Sequence, residues 1–400
     1  MPLTFPRPSP FNNDPYSFQK SYLDSFIDDY MGSNLSEPNK KTLIRNIQSL
    51  SLEPNLLKKF FFKALLKKDF DIVSALINAK KIDVDTVDEN GNTALFYSSE
   101  LNDLRMAGLL LENGANVNFK NAQGNTPLIQ AAMHSNVAML NLLLSSYGAL
   151  IDDKNLEGSS ALMYAISTKN YQNAKALILK NANVDDSDNQ GITILMEAIL
   201  QMGPIVDESD LEIIESILEK TQNVNAQDSF GETALMKNKN VQIAKKLLIK
   251  QASLSIKNRE GQTPLLIAAR HGLDDLIILY MLSGDANIED VDHEGYTALM
   301  LASTIKDNIS TIKTLLRYCS RRIINHRNSM DLTALKIAIY ARNIAAITTL
   351  IKAGALFDDI ENFDVSMLNL RDLQVLSRPD GSKTVTMLWE TQILPFYLQP

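Results

Sequence analysis

Apolar and polar positions recur along most of the chain with a period near 33 residues. Each period opens with a polar turn, then Gly, one residue, Thr or Ser, one residue and Leu, and it continues as two short apolar stretches at helical spacing. The openings begin at Gly91, Gly124, Gly158, Gly191, Gly231, Gly261, Gly295 and, with Asp in the place of Gly, Asp331. Successive openings lie 33, 34, 33, 40, 30, 34 and 36 residues apart. This spacing predicts one structural unit that is copied along the chain.

Each element of the opening has a physical role. Gly, or Asp331, provides the positive φ that ends a tight turn, and the Thr or Ser two residues later is the expected N-cap of a helix. Pro127 and Pro264 stand at the first helical position, which Pro favours. A second helix ends at a polar or Gly stop, most clearly at Asn113-Gly114. One turn and two antiparallel helices cannot bury their own apolar face, so the units must stack on one another.

These residues resemble the ankyrin repeat. The Asp-led turn, the Gly, the Thr-Pro/Ala-Leu sequence and the ending Gly114-Ala115-Asn116-Val117-Asn118 carry the resemblance, which covers roughly residues 55–360. It implies an all-α ankyrin-repeat solenoid of about nine helix-turn-helix units with short hairpin fingers. Repeats are expected at 88–120, 121–154, 155–187, 188–227, 228–257, 258–291, 292–327 and 328–360, after a degenerate first unit at about 55–87. We therefore expect an N-terminal extension at 1–54, the array at 55–360 and a capping tail at 361–400.

The chain departs from the family pattern in three ways. The usual His after Thr-Pro-Leu is replaced in every repeat, so the turn-linking hydrogen bonds of that His must be lost or replaced. The residues found there are Phe96, Ile129, Met163, Met196, Met236, Leu266, Met300 and Lys336. Repeat 188–227 carries about seven extra residues near Gln201–Asp207, which we interpret as an acidic, mobile loop that is either a tolerated insertion or a partner contact. The next repeat is about three residues short.

The two ends lie outside the repeats. A proline-rich start is expected to be extended and disordered. An apolar helix face follows it, either docking on the first repeat or binding a partner, and it consists of Phe18, Tyr22, Phe26, Ile27 and Tyr30. A second helix is predicted from Lys41 to Leu50. In the tail, the turn at Pro379-Asp380-Gly381 indicates either a β-hairpin or a vestigial repeat opening. In both cases we expect the tail to cover the end of the array, with a separate binding motif as the alternative.

Composition narrows the class of protein. The 39 Lys and Arg against 47 Asp and Glu give a net charge of −8, which disfavours binding to nucleic acid or to an anionic membrane surface. No apolar run approaches the length of a membrane span, and the first ten residues lack the apolar core of a secretory signal. The single cysteine, Cys319, excludes an internal disulfide and a zinc site built on several cysteines. A cytoplasmic, monomeric protein is expected.

Catalytic chemistry has little support in the sequence. None of the four histidines is spaced as a metal pair, and the common nucleotide, hydrolase and metalloprotease motifs are absent. A Cys319–His326 dyad is the one enzymatic alternative, and it lacks an orienting third residue. We therefore predict no enzyme, no cofactor and no metal. One basic run is either a solvated loop or an anion-binding or nuclear-localisation patch, and it comprises Arg317, Arg321, Arg322, His326 and Arg327.

The ankyrin resemblance implies binding of a partner protein. In the family the fingers and first helices line a concave groove, and the second, third, fifth, thirteenth and fourteenth positions face it. Large anchors at these positions occur in the later repeats, and the predicted site consists of Phe230, Arg259, Arg270, His271, His293, Tyr296, Met330 and Tyr340. We expect an acidic or mixed peptide segment to pair with Arg259 and Arg270. The resemblance also places Asn118 and Asn225 at positions that asparaginyl hydroxylases modify in some ankyrin proteins.

The leading interpretation is a non-enzymatic adaptor or scaffold. The alternative is a secreted, host-directed effector of an intracellular microbe or parasite that binds a host protein and acts in the host cytosol. Thr-Ala-Leu-Met openings at Thr233–Met236 and Thr297–Met300, together with many Asn, Lys and Ile residues, are similar to arrays of that origin.

Overall fold

Short helices joined by turns make up nearly all of the described chain. The computed structural model of the protein describes residues 29–30, 32, 37–49, 53–134, 137–203, 206–305 and 308–356, together with the backbone of 373–377, 383–389 and 392–398. By their internal contacts the residues divide into two compact halves, 1–183 and 184–400, which are described in turn.

The N-terminal half contains nine described α-helices. They are α1 (Glu37–Asn46), α2 (Pro54–Leu66), α3 (Phe70–Asn78), α4 (Ala94–Glu100), α5 (Leu104–Glu112), α6 (Pro127–His134), α7 (Val137–Leu144), α8 (Ala161–Ser167) and α9 (Tyr171–Leu179). A 3-10 turn at Ile47–Ser49 follows α1. Helices α2 and α3 form the degenerate first unit that the sequence predicted.

The C-terminal half continues the same alternation. Its described helices are α10 (Ile194–Gln201), α11 (Glu208–Lys220), α12 (Ala234–Lys237), α13 (Val241–Ile249), α14 (Pro264–His271), α15 (Asp274–Ser283), α16 (Ala298–Ser303), α17 (Ile309–Leu316), α18 (Arg321–Ile324), α19 (Ala334–Tyr340) and α20 (Ile344–Lys352). In each repeat the helix after the opening is called the inner helix, and the next long helix the outer helix. The all-α repeat array predicted from the sequence is confirmed.

The opening residues do what their chemistry predicts. Thr93 accepts a hydrogen bond from the backbone N–H of Phe96, and the equivalent Thr or Ser caps each later inner helix in the same way. Asp331 has φ of 58°, in the left-handed region that the glycines occupy in the other openings. The turn and cap assignments are therefore confirmed.

Each finger is closed by an Asp or Asn side chain at its first position. In the first finger, Asp88 Oδ1 accepts the backbone N–H groups of Asn90 and Asn92, both at 2.8 Å. Equivalent pairs of bonds hold the fingers that begin at Asn121, Asn155, Asp188, Asp228, Asn258, Asp292 and Asn328. Within each half, neighbouring fingers are joined by a backbone bond, as from Ala122 N to Asn90 O at 3.0 Å.

The core is a repeated apolar layer. The Leu of every opening, from Leu95 to Leu335, is at most 4% exposed. Each outer helix also has at least one fully buried apolar residue, and these include Leu76, Leu110, Leu143, Leu177, Ile217, Leu247, Ile277, Leu315 and Leu350. Since each repeat contributes to the same layer, burial of apolar area is spread evenly along both halves.

Tyr30 packs on the degenerate first unit. Its ring meets Phe60 edge to face with centroids 5.3 Å apart, and its hydroxyl donates to Asp69 Oδ2 at 3.2 Å. The Lys67 ammonium lies 4.1 Å from the centre of the Tyr30 ring. Docking of the N-terminal apolar face is thus confirmed at Tyr30. The other predicted members of that face, Phe18, Tyr22, Phe26 and Ile27, lie outside the described residues.

The tail forms a small antiparallel sheet. Strands β1 (Leu373–Ser377), β2 (Lys383–Trp389) and β3 (Gln392–Leu398) lie in the order β1-β2-β3. Ser377 pairs with Lys383, so β1 and β2 are antiparallel on the two sides of the predicted turn, and the hairpin prediction is confirmed. The turn residues themselves, Pro379, Asp380 and Gly381, lie outside the described residues. A capping role for the tail stays a prediction.

Candidate functional site

Four of the eight predicted site residues stand on consecutive fingers. Phe230, Arg259, His293 and Met330 occupy the second or third finger position, and we call them the tip row. All four are exposed, Phe230 at 64% and Met330 at 56%. Backbone bonds join their fingers: Arg259 N donates to Phe230 O at 2.9 Å, and His293 N donates to the carbonyl of Glu260 at 2.9 Å. The structure therefore brings the tip row together along one edge of the repeats.

Among the described residues, the tip side chains form no hydrogen bond or ion pair, although the His293 ring lies against Gly261 of the neighbouring finger. Each finger is closed by the first-position side chain and by backbone bonds, as at Asp228 and Asn258. A Phe ring that is mostly exposed and has no structural bond carries apolar area that a partner could bury. The tip row is therefore one part of the predicted site that is available for binding.

The remaining predicted residues lie at the finger base and at the ends of inner helices. Tyr296 is half-exposed at the base, where its N–H bonds to Asp292 Oδ1 at 2.8 Å. Tyr340, at the end of α19, is 73% exposed. At the end of α14, His271 Nδ1 contacts the carbonyl oxygen of Ile267 in its own helix at 2.9 Å.

Arg270 already has an acidic partner. Its Nη1 lies 3.2 Å from Glu260 Oε2, and both side chains are largely exposed. An exposed pair of this kind contributes about 0–1 kcal/mol, so an incoming carboxylate could replace Glu260 at small cost. The predicted pairing of Arg270 with an acidic segment therefore competes with an ion pair inside the chain.

In three repeats the residue after the family's His position on the inner helix contacts the first residue of the finger. This contact takes the place of the hydrogen bond that the missing His would make. Tyr97 donates from its hydroxyl to Asp88 Oδ2 at 2.6 Å, and the Tyr164 hydroxyl accepts from Asn155 Nδ2 at 3.0 Å. Burial acts to raise the pKa of the Asp88 carboxyl, but the hydrogen bonds from Tyr97 and from the finger backbone outweigh it and lower the pKa. The sequence-based expectation that the turn-linking bonds are lost or replaced is met by replacement in these repeats.

In repeat 228–257 the replacement is a buried charge. Lys237 Nζ lies 2.6 Å from Asp228 Oδ2 and 2.8 Å from Glu232 Oε2, and the side chains of Lys237 and Asp228 are 9% and 0% exposed. Burial acts to lower the pKa of Lys237, but hydrogen bonds and charge from the two carboxylates raise it above its ordinary value. The finger of this repeat is therefore held by an ion pair as well as by its backbone bonds.

A pocket that sequence reasoning missed lies between repeats 188–227 and 228–257. Its volume is about 400 Å³, and it is lined by Ile199, Leu200, Met202, Gly203, Lys237, Asn238, Lys239, Asn240 and Ile243. It adjoins the predicted insertion and the predicted three-residue shortening, so both length changes in the sequence were signals of it. Glu208 and Asp210, which follow the predicted insertion, lie in α11, where Asp207 and Asp210 form a capping box.

The Cys319–His326 alternative gains no support from the geometry. Burial raises the pKa of the Cys319 thiol to about 12, so the nucleophilic thiolate is scarce at neutral pH. His326 Nε2 contacts the carbonyl oxygen of Gly295 at 3.1 Å.

Within the basic run, Arg322 pairs with Glu289 at 2.7 Å and Arg327 pairs with Asp331 at 2.7 Å. Arg317 and Arg321 are exposed.

Cys319 should be unreactive in the folded protein. Its raised pKa lowers the thiolate fraction at pH 8 by about a thousandfold relative to an ordinary thiol, and access is reduced as well. We expect iodoacetamide labelling at pH 8 to be at least a hundredfold slower in buffer than in 6 M guanidinium, as read by mass spectrometry. Equal labelling rates in the two solvents would contradict the burial of this thiol.

The described part of the chain offers neither a metal cluster nor a membrane span. Among these residues no three His, Cys, Asp or Glu side chains are grouped so that they could hold a metal ion. None of the described helices is long and apolar enough to cross a bilayer.

Both Asn residues flagged for hydroxylation bridge adjacent repeats. Asn118 donates from Nδ2 to Gly148 O at 2.7 Å and accepts from Leu150 N at 3.0 Å. Asn225 makes the same pair of contacts with Gln251 O and Ser253 N. Both amides are therefore in use as structural links, whatever their modification.

Known proteins share this arrangement of openings and helix pairs. A family model described as three copies of ankyrin repeats matches residues 61–155, 148–228, 205–290 and 274–361. An ankyrin repeat protein of Rickettsia felis is 25% identical over 86% of this chain and 95% of its own length. Protein L371 of Acanthamoeba polyphaga mimivirus is 25% identical over 80% of this chain, and the human transient receptor potential channel A1 is 29% identical over 55%.

Two of these relatives are matched over only part of their length, which limits what their properties say about this chain. The matched segments span 40% of the mimiviral protein and 20% of the human channel, so the chain corresponds to only part of those two proteins. The family match itself runs through the whole described repeat array, and it agrees with the fingers, caps and helix pairs of the structure. Repeats of this type serve protein–protein interaction, and the chain belongs to the ankyrin-repeat family.

Proposed function

We propose that this protein is a non-enzymatic adaptor or scaffold that binds a partner protein through the later repeats. The single observation that carries the proposal is the tip row, in which Phe230, Arg259, His293 and Met330 are exposed on four consecutive fingers. Their fingers are fixed by backbone and first-position bonds, so the hydrogen bonds of the fingers do not depend on these side chains. A preorganised row of this kind costs little entropy on binding.

The chemistry of the row favours a partner segment of mixed character. Phe230 and Met330 offer apolar area, while Arg259 offers a charge that an acidic side chain can meet. Aromatic and Arg side chains supply a large share of binding energy at protein interfaces. Tyr296 and Tyr340 extend the surface toward the finger base and the helix ends, and Arg270 adds a second cation once Glu260 is displaced.

Removing the apolar tips should weaken the interaction without unfolding the chain. Phe230→Ala with Met330→Ala removes two exposed side chains, each expected to contribute about 1–2 kcal/mol of binding free energy if it is an anchor. Affinity capture from cell lysate, quantified by mass spectrometry, should show at least tenfold depletion of the specific partner by this tip variant relative to the parent chain.

The chain offers a matched control for this experiment. Leu179 and Ile249 are both 79% exposed and lie at the ends of outer helices, away from the fingers. Leu179→Ala with Ile249→Ala removes a similar apolar area and should leave capture unchanged. Equal partner recovery by the tip variant and by this control would place the binding surface elsewhere.

A second candidate role is a host-directed effector that binds a host protein. The relatives in mimivirus and in Rickettsia felis are compatible with this role, since they come from a virus and from an intracellular bacterium. The chain fused to a calmodulin-dependent adenylate cyclase would be expressed in the organism that encodes it. A rise of cyclic AMP in co-cultured host cells would support delivery, and no rise above a cyclase-only control would count against it.

A further inference from the structure

The pocket between repeats 188–227 and 228–257 exists because one helix is a turn short. Helix α12 has four residues, whereas the inner helices on its two sides, α10 and α14, have eight each. The space that a second turn of α12 would fill is left between the end of α10 and the start of α13. The three missing residues of repeat 228–257 therefore appear in the structure as this cavity.

Local side-chain chemistry ends α12 early. Asn238 turns the chain to an extended conformation with ψ of 136°. Its Nδ2 donates to the carbonyl of Asn240 at 2.8 Å and its Oδ1 accepts the N–H of Asn240 at 3.1 Å. Asn240 then caps α13 by accepting from Gln242 N and Ile243 N. Since Asn competes with helical bonding in this way, the sequence from Asn238 to Asn240 specifies the short helix.

The lining is apolar on one side and polar on the other, where it includes Lys237 and Lys239. Ile199 and Ile243 are buried at 4% and 1% exposure, whereas Leu200, at the open side, is 49% exposed. The volume of about 400 Å³ lies at the lower end of ligand-binding pockets, about 300–1,000 Å³. Water against the apolar side would find few hydrogen-bond partners, so an apolar group is the better occupant of that side.

Among the described residues that line the pocket, one polar side chain is free to meet a ligand. The Lys237 ammonium is held by Asp228 and Glu232, and the Asn238 and Asn240 side chains close the turn and cap α13. Lys239, by contrast, is exposed between these two asparagines. A ligand in the pocket would therefore meet an apolar cavity beside one positive charge.

We propose that this pocket receives one bulky apolar side chain of a partner polypeptide, with an adjacent Asp or Glu pairing with Lys239. The apolar walls select the anchor, and the charge at Lys239 selects its neighbour. The inference rests on the proposed function only in that the ligand is a protein segment. It adds a specificity site that is separate in sequence and in chemistry from the tip row.

The test uses peptides selected on the intact protein. A phage-displayed library of random 12-residue peptides is selected on the full chain, and the enriched peptides are synthesised and titrated by fluorescence anisotropy. In the same protein, methionine labelled with ¹³C at the methyl group reports on the pocket through Met202, whose resonance is assigned with Met202→Leu. We expect enriched peptides to carry a large apolar residue beside Asp or Glu and to shift the Met202 resonance.

Filling the pocket should abolish this binding. A Cβ at Gly203 meets no atom within 4 Å, so Gly203→Trp can add a large side chain at the pocket without a backbone collision. We expect it to raise the peptide Kd at least tenfold and Lys239→Glu to raise it about fivefold. Gly108→Trp is the control, because Gly108 on α5 has equally open surroundings and is remote in sequence.

A second pocket variant is available in case Gly203→Trp affects folding. If Gly203→Trp lowers the melting temperature of the chain, Leu200→Ala replaces it, because that side chain is half-exposed at the pocket. Peptides that bind Gly203→Trp with the parent Kd, that leave Met202 unshifted, or that share no apolar–acidic pair would overturn the proposal, as would a library that yields no binder.

The experiment also separates the pocket from the tip row. A peptide that binds the tip variant as tightly as the parent but no longer binds Gly203→Trp supports the pocket and shows that its ligand does not need the tip row. A peptide that no longer binds the tip variant but still binds Gly203→Trp supports the tip row and counts against the pocket.

Discussion

Replacing Gly124 by Ala should lower the free energy of unfolding by about 3–4 kcal/mol. Gly124 has φ of +77°, and a Cβ there would lie 2.8 Å from the backbone N of Leu156 in the next finger. That N–H donates to the carbonyl of Gln123 at 3.1 Å, so the methyl group must separate two fingers that a backbone bond holds together. The strain of the left-handed backbone and the loss of the bond add to each other. Urea unfolding followed by circular dichroism measures the difference.

Gly114 separates backbone strain from crowding. Its φ is +86°, in the same left-handed region, but a Cβ there meets nothing within 4 Å. Gly114→Ala should therefore cost only the strain, about 1–2 kcal/mol. If the two alanine variants lost equal stability, the close approach of the fingers would have no energetic weight.

Replacing Asp228 by Ala should destabilise the protein by about 3–5 kcal/mol, because the buried ammonium of Lys237 then lacks one of its two carboxylate partners. The substitution also removes the acceptor of two finger N–H groups, those of Phe230 and Glu232. Glu232 Oε2, 2.8 Å from Lys237 Nζ, compensates the charge only in part. The same urea unfolding experiment, run at neutral pH, gives the value.

The lysine can be isolated with two further variants. Asp188 makes the same two backbone bonds, to Gln190 N and Ile192 N, but no ion pair with a lysine is found there among the described residues, so Asp188→Ala should cost about 1–2 kcal/mol. Asp228→Ala combined with Lys237→Met should recover part of the loss of Asp228→Ala alone. A double variant no more stable than the single one would show that the ion pair is not the cause.

The pH dependence of the pair has a definite sign. The pKa of Lys237 is raised in the folded protein, so the stabilisation that its charge brings is fully present below the ordinary lysine pKa of 10.5. It is lost as the pH rises above that value and the ammonium deprotonates. The extra cost of Asp228→Ala over Asp188→Ala should accordingly persist across the neutral range.

The repeat framework could be predicted because its signals are local. Gly, Thr and Leu of each opening act within a few residues of their own positions, as a turn, a cap and a core contact. Asp331 in the place of Gly was read correctly for the same reason. The hairpin in the tail also follows from short-range turn chemistry. Since each repeat contacts mainly its neighbours, correct local assignments gave the array.

The site was harder to predict because it depends on side-chain contacts between separate elements, some within one repeat and some between repeats. The Tyr97, Tyr164 and Lys237 contacts replace the missing His from one residue further along the helix, a position that sequence comparison with the family did not address. Likewise, the shortening of repeat 228–257 was visible in the spacing. Where the missing residues fell depended on the bonding of Asn238 with Asn240 and on how far α10 extends beside it.

The backbone bonds between fingers are kept even where the length of a repeat changes. Repeats 188–227 and 228–257 differ by ten residues in the spacing of their openings, yet Ser229 N still bonds Gln190 O at 2.7 Å and Arg259 N still bonds Phe230 O at 2.9 Å. Insertions and deletions at inner-helix ends are thus absorbed before the next finger begins. A change of repeat length at the end of an inner helix can therefore alter a binding surface while the backbone bonds between the fingers stay in place.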